Sequence, residues 1–102
     1  MPFSNEPWES PESELDAEEF CAVCLVDMNP SGQPKTKARC KLPVRRRPDA
    51  PYNLNAIRNA IARLPQTDLP ATEKRKAARR LLRLAEEGGI EAGVMLRRLA
   101  GT

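Results

Sequence analysis

The sequence predicts a small, mainly helical α+β module, in which a short β-hairpin packs on an antiparallel pair of helices, followed by a short third helix or a frayed end. Three observations predict it. Leu54, Ile57, Ile61 and Leu64 recur at spacings of three, four and three, the apolar stripe of an amphipathic helix. Ala77 or Ala78, Leu81, Leu84 and Ala85 form the inner face of a second such segment. Between Gln33 and Val44 the period changes to two: Lys35, Lys37, Arg39 and Lys41 share one parity, and Thr36, Ala38, Cys40 and Leu42 the other. That alternation implies a strand with one wet, basic face and one buried face.

Each element has its local reasons. Residues 1–19 are rich in Pro, Ser and Glu, the composition of a flexible acidic tail. Ser10 and Pro11 could open a short helix there, because Ser caps exposed amides and Pro is tolerated at the first helical position. On such a helix Trp8 and Leu15, seven apart, would share a face and make the tail a docking peptide. Phe20 to Met28 reads as a short apolar strand, Asn29-Pro30-Ser31-Gly32 as the hairpin turn, and the alternating segment as the return strand. Two strands are unstable alone, so the hairpin must pack on the helices. Arg45-Arg46-Arg47-Pro48 to Pro51 reads as a stiff, extended basic linker, since Pro restricts its own φ and the residue before it. Asn53 is a good N-cap for a helix to Leu64, which Pro65 stops. The second helix runs from about Pro70 to Glu87, and Gly88-Gly89 supplies its left-handed cap. The expected divisions are a tail over 1–19, a compact module over 20–89, and a short helix or frayed tail over 90–102, where Gly93 weakens helix formation.

Charge divides the chain just as sharply. Residues 1–27 carry eight acidic side chains and no Lys or Arg, whereas residues 35–83 carry fifteen Lys or Arg against Asp49, Asp68 and Glu73. A basic body joined to an acidic segment meets an outside polyanion, its own acidic segment, or a neighbour's, so self-association fits the same pattern. No apolar run reaches eighteen residues and the N-terminus is acidic, so no membrane span or signal peptide is expected. The expected location is inside a cell, or in a particle assembled there.

Catalysis finds no support. The sequence contains no His, its acids cluster in the segment expected to be flexible, and no glycine-rich phosphate loop is present. Cys21 and Cys24 have CxxC spacing and Cys40 follows, but a closed zinc site needs four ligands. Completion by Asp27 or another chain is the minor reading; small buried thiols are preferred, so neither metal nor cofactor is expected. Redox catalysis fits poorly beside so many acids, and a Cys24–Cys40 bridge across the hairpin is conceivable only outside a reducing compartment. The remaining candidates for function are cationic: Arg45, Arg46, Arg47, Arg75, Lys76, Arg79, Arg80 and Arg83, suited to phosphates or to an acidic protein surface. No aromatic side chain interleaves with the second-helix cations, which disfavours stacking on single strands.

One resemblance accompanies these features. Cys40-Lys41-Leu42-Pro43-Val44, Asn53 followed by an Ala-rich helix with Ala56, Ala60, Arg63 and Leu64, then Thr67-Asp68-Leu69-Pro70 and Lys76-Ala77-Ala78 before Leu81 and Leu82, resemble a small helical module of tailed-bacteriophage head proteins. The resemblance covers about residues 20–87. The usual module has a Gly-containing turn where this chain has Arg45 to Pro51, and no protease catalytic residue carries over. It implies a non-catalytic role in or around head assembly, through a capsid or other assembly protein or through packaged DNA. The leading expectation is therefore a structural or accessory binding module with a basic helical surface and an acidic docking tail. The alternative is a nucleic-acid-binding protein that holds phosphates with its linker and second helix.

Overall fold

A computed structural model describes residues 3–101; the first two residues of the expected tail and Thr102 lie outside the described residues. The architecture is α+β and mainly helical. In chain order it comprises β1 (Phe3–Ser4), α1 (Ala17–Val23), β2 (Cys24–Asp27), β3 (Cys40–Pro43), β4 (Tyr52–Asn53), α2 (Leu54–Arg63), α3 (Ala71–Gly88) and α4 (Gly93–Ala100), with 3-10 turns at Lys37–Arg39 and Leu64–Gln66.

The main core is the meeting of the helical stripes. Ile57, Leu64 and Leu81 are completely buried, with Ala77, Ala78, Leu84 and Ala85 beside them. Small alanines on α2 and α3 let the helices approach closely. A Cβ at Gly88 would lie 2.8 Å from Leu54 Cδ2, so any larger residue where the end of α3 meets the start of α2 would have to displace the Leu54 side chain. Gly89 then takes a left-handed φ of 71°, and Ile90 N–H donates back to the Ala85 carbonyl at 2.8 Å. The third helix forms as α4, with Leu96 and Ala100 facing the core. Gly93 stands at its start with φ 83° instead of weakening its interior. Val94 and Met95 point outward, at 72% and 52% exposure.

The β structure is a chain of short pairings. β2 and β3 are antiparallel, with Cys24 opposite Pro43 and Val26 opposite Lys41. Val44 extends this arrangement: its N–H donates to Val23 O at 3.0 Å and its carbonyl accepts from Asn53 N at 2.9 Å. β4 in turn pairs in parallel with β1, Phe3 opposite Tyr52. Leu42 within the Lys-Leu-Pro sequence has a φ of 64°, unusual for a non-glycine residue, and its side chain is buried. Burial of that leucine offsets a backbone strain of about 1–2 kcal/mol.

Five expectations need correction. The apolar run from Phe20 does not begin as a strand: α1 spans Ala17–Val23 and β2 starts only at Cys24. The cause is a capping box, in which Glu19 N–H donates to Asp16 Oδ1 at 2.8 Å and Asp16 N–H to Glu19 Oε1 at 3.1 Å. The expected division at residue 19 therefore falls inside a helix. Ser10 and Pro11 open only a turn, closed by bonds from the Glu14 and Leu15 amides to Pro11 O. The return strand is also shorter than the alternation suggests, because Lys37–Arg39 tighten into a 3-10 turn before β3.

The fourth correction concerns residues 3–16, which lie along the body and do not stand clear of it. Glu6 O accepts from Asn53 Nδ2 at 3.1 Å and from Asn55 Nδ2 at 2.8 Å. Pro7 O accepts from Arg46 at 3.1 Å, and Glu12 O from Lys37 Nζ at 2.6 Å. Acidic composition suggested a solvated tail, but these contacts use its backbone carbonyls. Finally, Arg45 to Pro51 is a turn and not an extended linker: Arg45 bridges Tyr52 in antiparallel fashion, and Ala50 N–H closes on Arg47 O at 3.0 Å.

Candidate functional site

The expected cationic residues do not form one free surface. Arg45 stacks on Tyr52, 4.3 Å from the ring centroid, and donates to Pro48 O at 3.1 Å. Arg46 holds Pro7 O, and Arg47 pairs with Asp49 at 3.2 Å. On α3, Lys76 pairs with Glu73 at 3.4 Å. Arg79 Nε donates to Ala100 O at 3.0 Å, satisfying a terminal carbonyl of α4 where its dipole is negative. Arg80 donates to Leu25 O at 3.1 Å and so fastens α3 to β2. The directions of these side chains are set by the fold. Arg75 and Arg83 are exposed and make no hydrogen bond or ion pair among the described residues.

A cleft of about 750 Å³ opens on another side. One wall comes from the acidic segment, with Trp8, Glu9, Glu12 and Glu14; the other presents Lys37, Lys41 and Arg63, with Asn59 and Thr67. Phe20, Leu42 and Pro43 contribute apolar surface. Side chains of both charge signs thus line one cavity, and Lys37 ties its two sides together through Glu12 O. Local structure places them: Thr67 Oγ1 donates to Arg63 O at 2.8 Å at the end of α2, and Lys37 is held by Glu12 O. Trp8 and Leu15 do not share a helical face. Trp8 is half-buried on the cleft, and Leu15 packs against a small core of Phe20, Cys21, Val23, Cys24 and Cys40.

The cysteines correct the remaining expectation. Cys21 and Cys40 are joined by a disulfide, while Cys24 is a free, buried thiol. The bridge conceivable from the sequence, Cys24 to Cys40, took Phe20 to Met28 as one strand; as part of α1, Cys21 turns over β3 and meets Cys40 instead. Burial pushes the Cys24 thiol up to about 12, with the Glu12 and Asp27 charges adding to the effect. Such a thiol is a poor nucleophile.

Asp27 and Lys35 form an ion pair at the rim of this small core. Burial acts to raise the Asp27 pKa, but the Lys35 hydrogen bond and those from the Asn29 backbone and side chain outweigh it and hold the carboxyl below its ordinary value. The same hydrogen bond raises the Lys35 pKa. Asn29, absent from every sequence-based expectation except as a turn residue, is the hub of this loop. Its Oδ1 accepts from Thr36 N–H at 2.8 Å, and its Nδ2 faces Asp27, Thr36 O and both disulfide sulfurs. Asx turn chemistry after Asp27 was the available signal, but nothing local to residue 29 announces Cys21 and Cys40.

Among the described residues, no helix is long and apolar enough to cross a membrane. No family model, no curated protein and no solved structure matches this chain.

Proposed function

We propose that this chain is a non-catalytic binding module, a structural or accessory protein of a tailed-bacteriophage head, acting in the host cytoplasm or in the virion. The observation that carries this reading is the cleft, where Trp8 and acidic residues face Lys41 and Arg63 across apolar surface. A segment of a partner protein bearing both signs of charge fits it, with the aromatic ring as anchor and the charges setting register. The Lys-Leu-Pro resemblance supports the head association. In this structure its residues support the fold: Leu42 is buried in β3, Asn53 caps α2, and Ala77 and Ala78 line the core. The partner is a capsid or other assembly protein.

The experiment is a pull-down with the intact chain, with and without nuclease, compared with Trp8→Ala and Arg63→Glu. The reading requires an assembly protein retained after nuclease and lost with both variants. Capture that disappears with nuclease argues for the second reading, binding to nucleic acid. That reading rests on Arg75 and Arg83, whose exposed side chains remain available on α3. Salt-dependent retardation of duplex DNA that Arg75→Glu with Arg83→Glu abolishes would establish it, since each lost phosphate contact lowers the salt slope by roughly one.

A further inference from the structure

We propose that the reduced chain binds one zinc ion between the Cys21 and Cys40 sulfurs and the Asp27 carboxylate. A sulfur from each cysteine and a carboxylate oxygen of Asp27 lie within 4.8 Å of one another, two of the residues buried and the third exposed at the mouth. Tetrahedral zinc holds such ligands roughly 3.5–3.8 Å apart, so once the Cys21–Cys40 bond is broken the two sulfurs part to either side of the ion while the Asp27 oxygen stays within reach.

Asn29 marks where the ion would sit. Its Nδ2 contacts Asp27 Oδ1 at 2.9 Å, Thr36 O at 3.2 Å, Cys40 Sγ at 3.3 Å and Cys21 Sγ at 3.5 Å. An amide nitrogen carries two hydrogens and cannot satisfy four acceptors at once. A dication can. The same four atoms are two soft sulfurs and two oxygens, a donor set suited to zinc, with the Thr36 carbonyl or a water completing the tetrahedron. The Asn29 side chain lies on the loop between β2 and β3 and is only half-buried, so it can turn aside.

The disulfide and the ion are mutually exclusive occupants of the sulfurs. A dithiol reductant supplies two electrons and two protons; the Cys21–Cys40 bond breaks to two thiols, and the reductant leaves as its own disulfide. Zinc then displaces the two thiol protons to the buffer, and Asp27 exchanges the Lys35 ammonium for the ion. In a reducing compartment the thiol pair is the prevailing form.

The test uses the intact chain, reduced with dithiothreitol and freed of it anaerobically, then titrated with Co²⁺ as a spectroscopic probe and with Zn²⁺. The reduced chain is expected to show thiolate-to-cobalt charge-transfer absorption saturating at one equivalent, removed by Zn²⁺, with two protons released per zinc. The oxidised chain should show none. Asp27→Asn should weaken binding at least about tenfold, and Cys24→Ser should leave it unchanged. If the reduced chain loses helical circular dichroism, zinc must restore it. The proposal is overturned by absence of the band in the reduced intact chain, by equal binding in the oxidised chain, by insensitivity to Asp27→Asn, or by loss in Cys24→Ser. Should Asp27→Asn not fold, proton release from the intact chain decides, and a value of zero sinks the site.

Discussion

The protein has two cores of different construction. The larger joins the apolar faces of α2, α3 and α4 to Leu25, Val26, Leu42 and Val44 of the β segment. The smaller gathers Phe20, Cys21, Val23, Cys24 and Cys40, with Leu15 at its edge. Apolar area stabilises the first, and its members on α2, α3 and α4 repeat with helical period. Five side chains cannot do as much for the second; it relies on a covalent cross-link and on a polar loop centred on Asn29. Substitution should therefore damage the large core most, while redox state and pH should act on the small one.

Leu81→Ala breaks the large core and should have the greatest effect. The side chain is completely buried, and its loss should cost about 3 kcal/mol in urea denaturation, from lost transfer energy plus a cavity. A loss below about 1 kcal/mol would mean that the helices do not pack as described.

Reduction of the Cys21–Cys40 bond, which joins residues 19 apart, should cost about 2–3 kcal/mol when a chelator keeps metal away. Amide exchange should locate the loss. The amides of Phe20 to Cys24 should exchange faster while those around Ile57 and Leu81 change little, and uniform acceleration would erase the distinction between the cores.

Asn53→Ala tests the seam where the N-terminal segment meets the helices. Its Oδ1 accepts from Ala56 N–H at 2.9 Å, its Nδ2 holds Glu6 O, and the residue is buried. Loss of the cap and of that tie should cost about 1–2 kcal/mol by thermal or urea unfolding.

Smaller effects should follow pH. Asp27 has a folded pKa below its ordinary 3.8, so its contribution is present above that value and is lost as pH falls through the depressed one. Lys35 acts in the opposite direction: its contribution is complete below 10.5 and is lost as pH rises through its raised value. Asp27→Asn should flatten the acid limb of a stability–pH profile, and an unchanged slope would remove the pair from the account. Cys24 prefers its neutral form, so its contribution holds below pH 9.0 and declines as pH rises towards about 12. In the oxidised chain a thiol reagent at pH 8 should find no reactive sulfur until denaturant is added.

The amino-acid sequence by itself determined the helical half. Stripes at spacings of three and four, Asn53 as a cap, and the glycines at the end of α3 are local signals, and local backbone geometry turns them into a buried face without information from elsewhere in the chain. The Asp16-to-Glu19 capping box was a signal of the same kind, outweighed by the apolar run after it. Tertiary structure alone decided the rest. The acidic composition of residues 3–16 says nothing of Asn53, Asn55 and Arg46, which bind its carbonyls. The cleft likewise needs Glu12 and Arg63, more than fifty residues apart in the chain, brought to the lining of one cavity. Cys21, Asn29 and Cys40 converge because α1 turns into β2 over β3, and which side chains share a space after such a turn depends on long-range packing that no local period records.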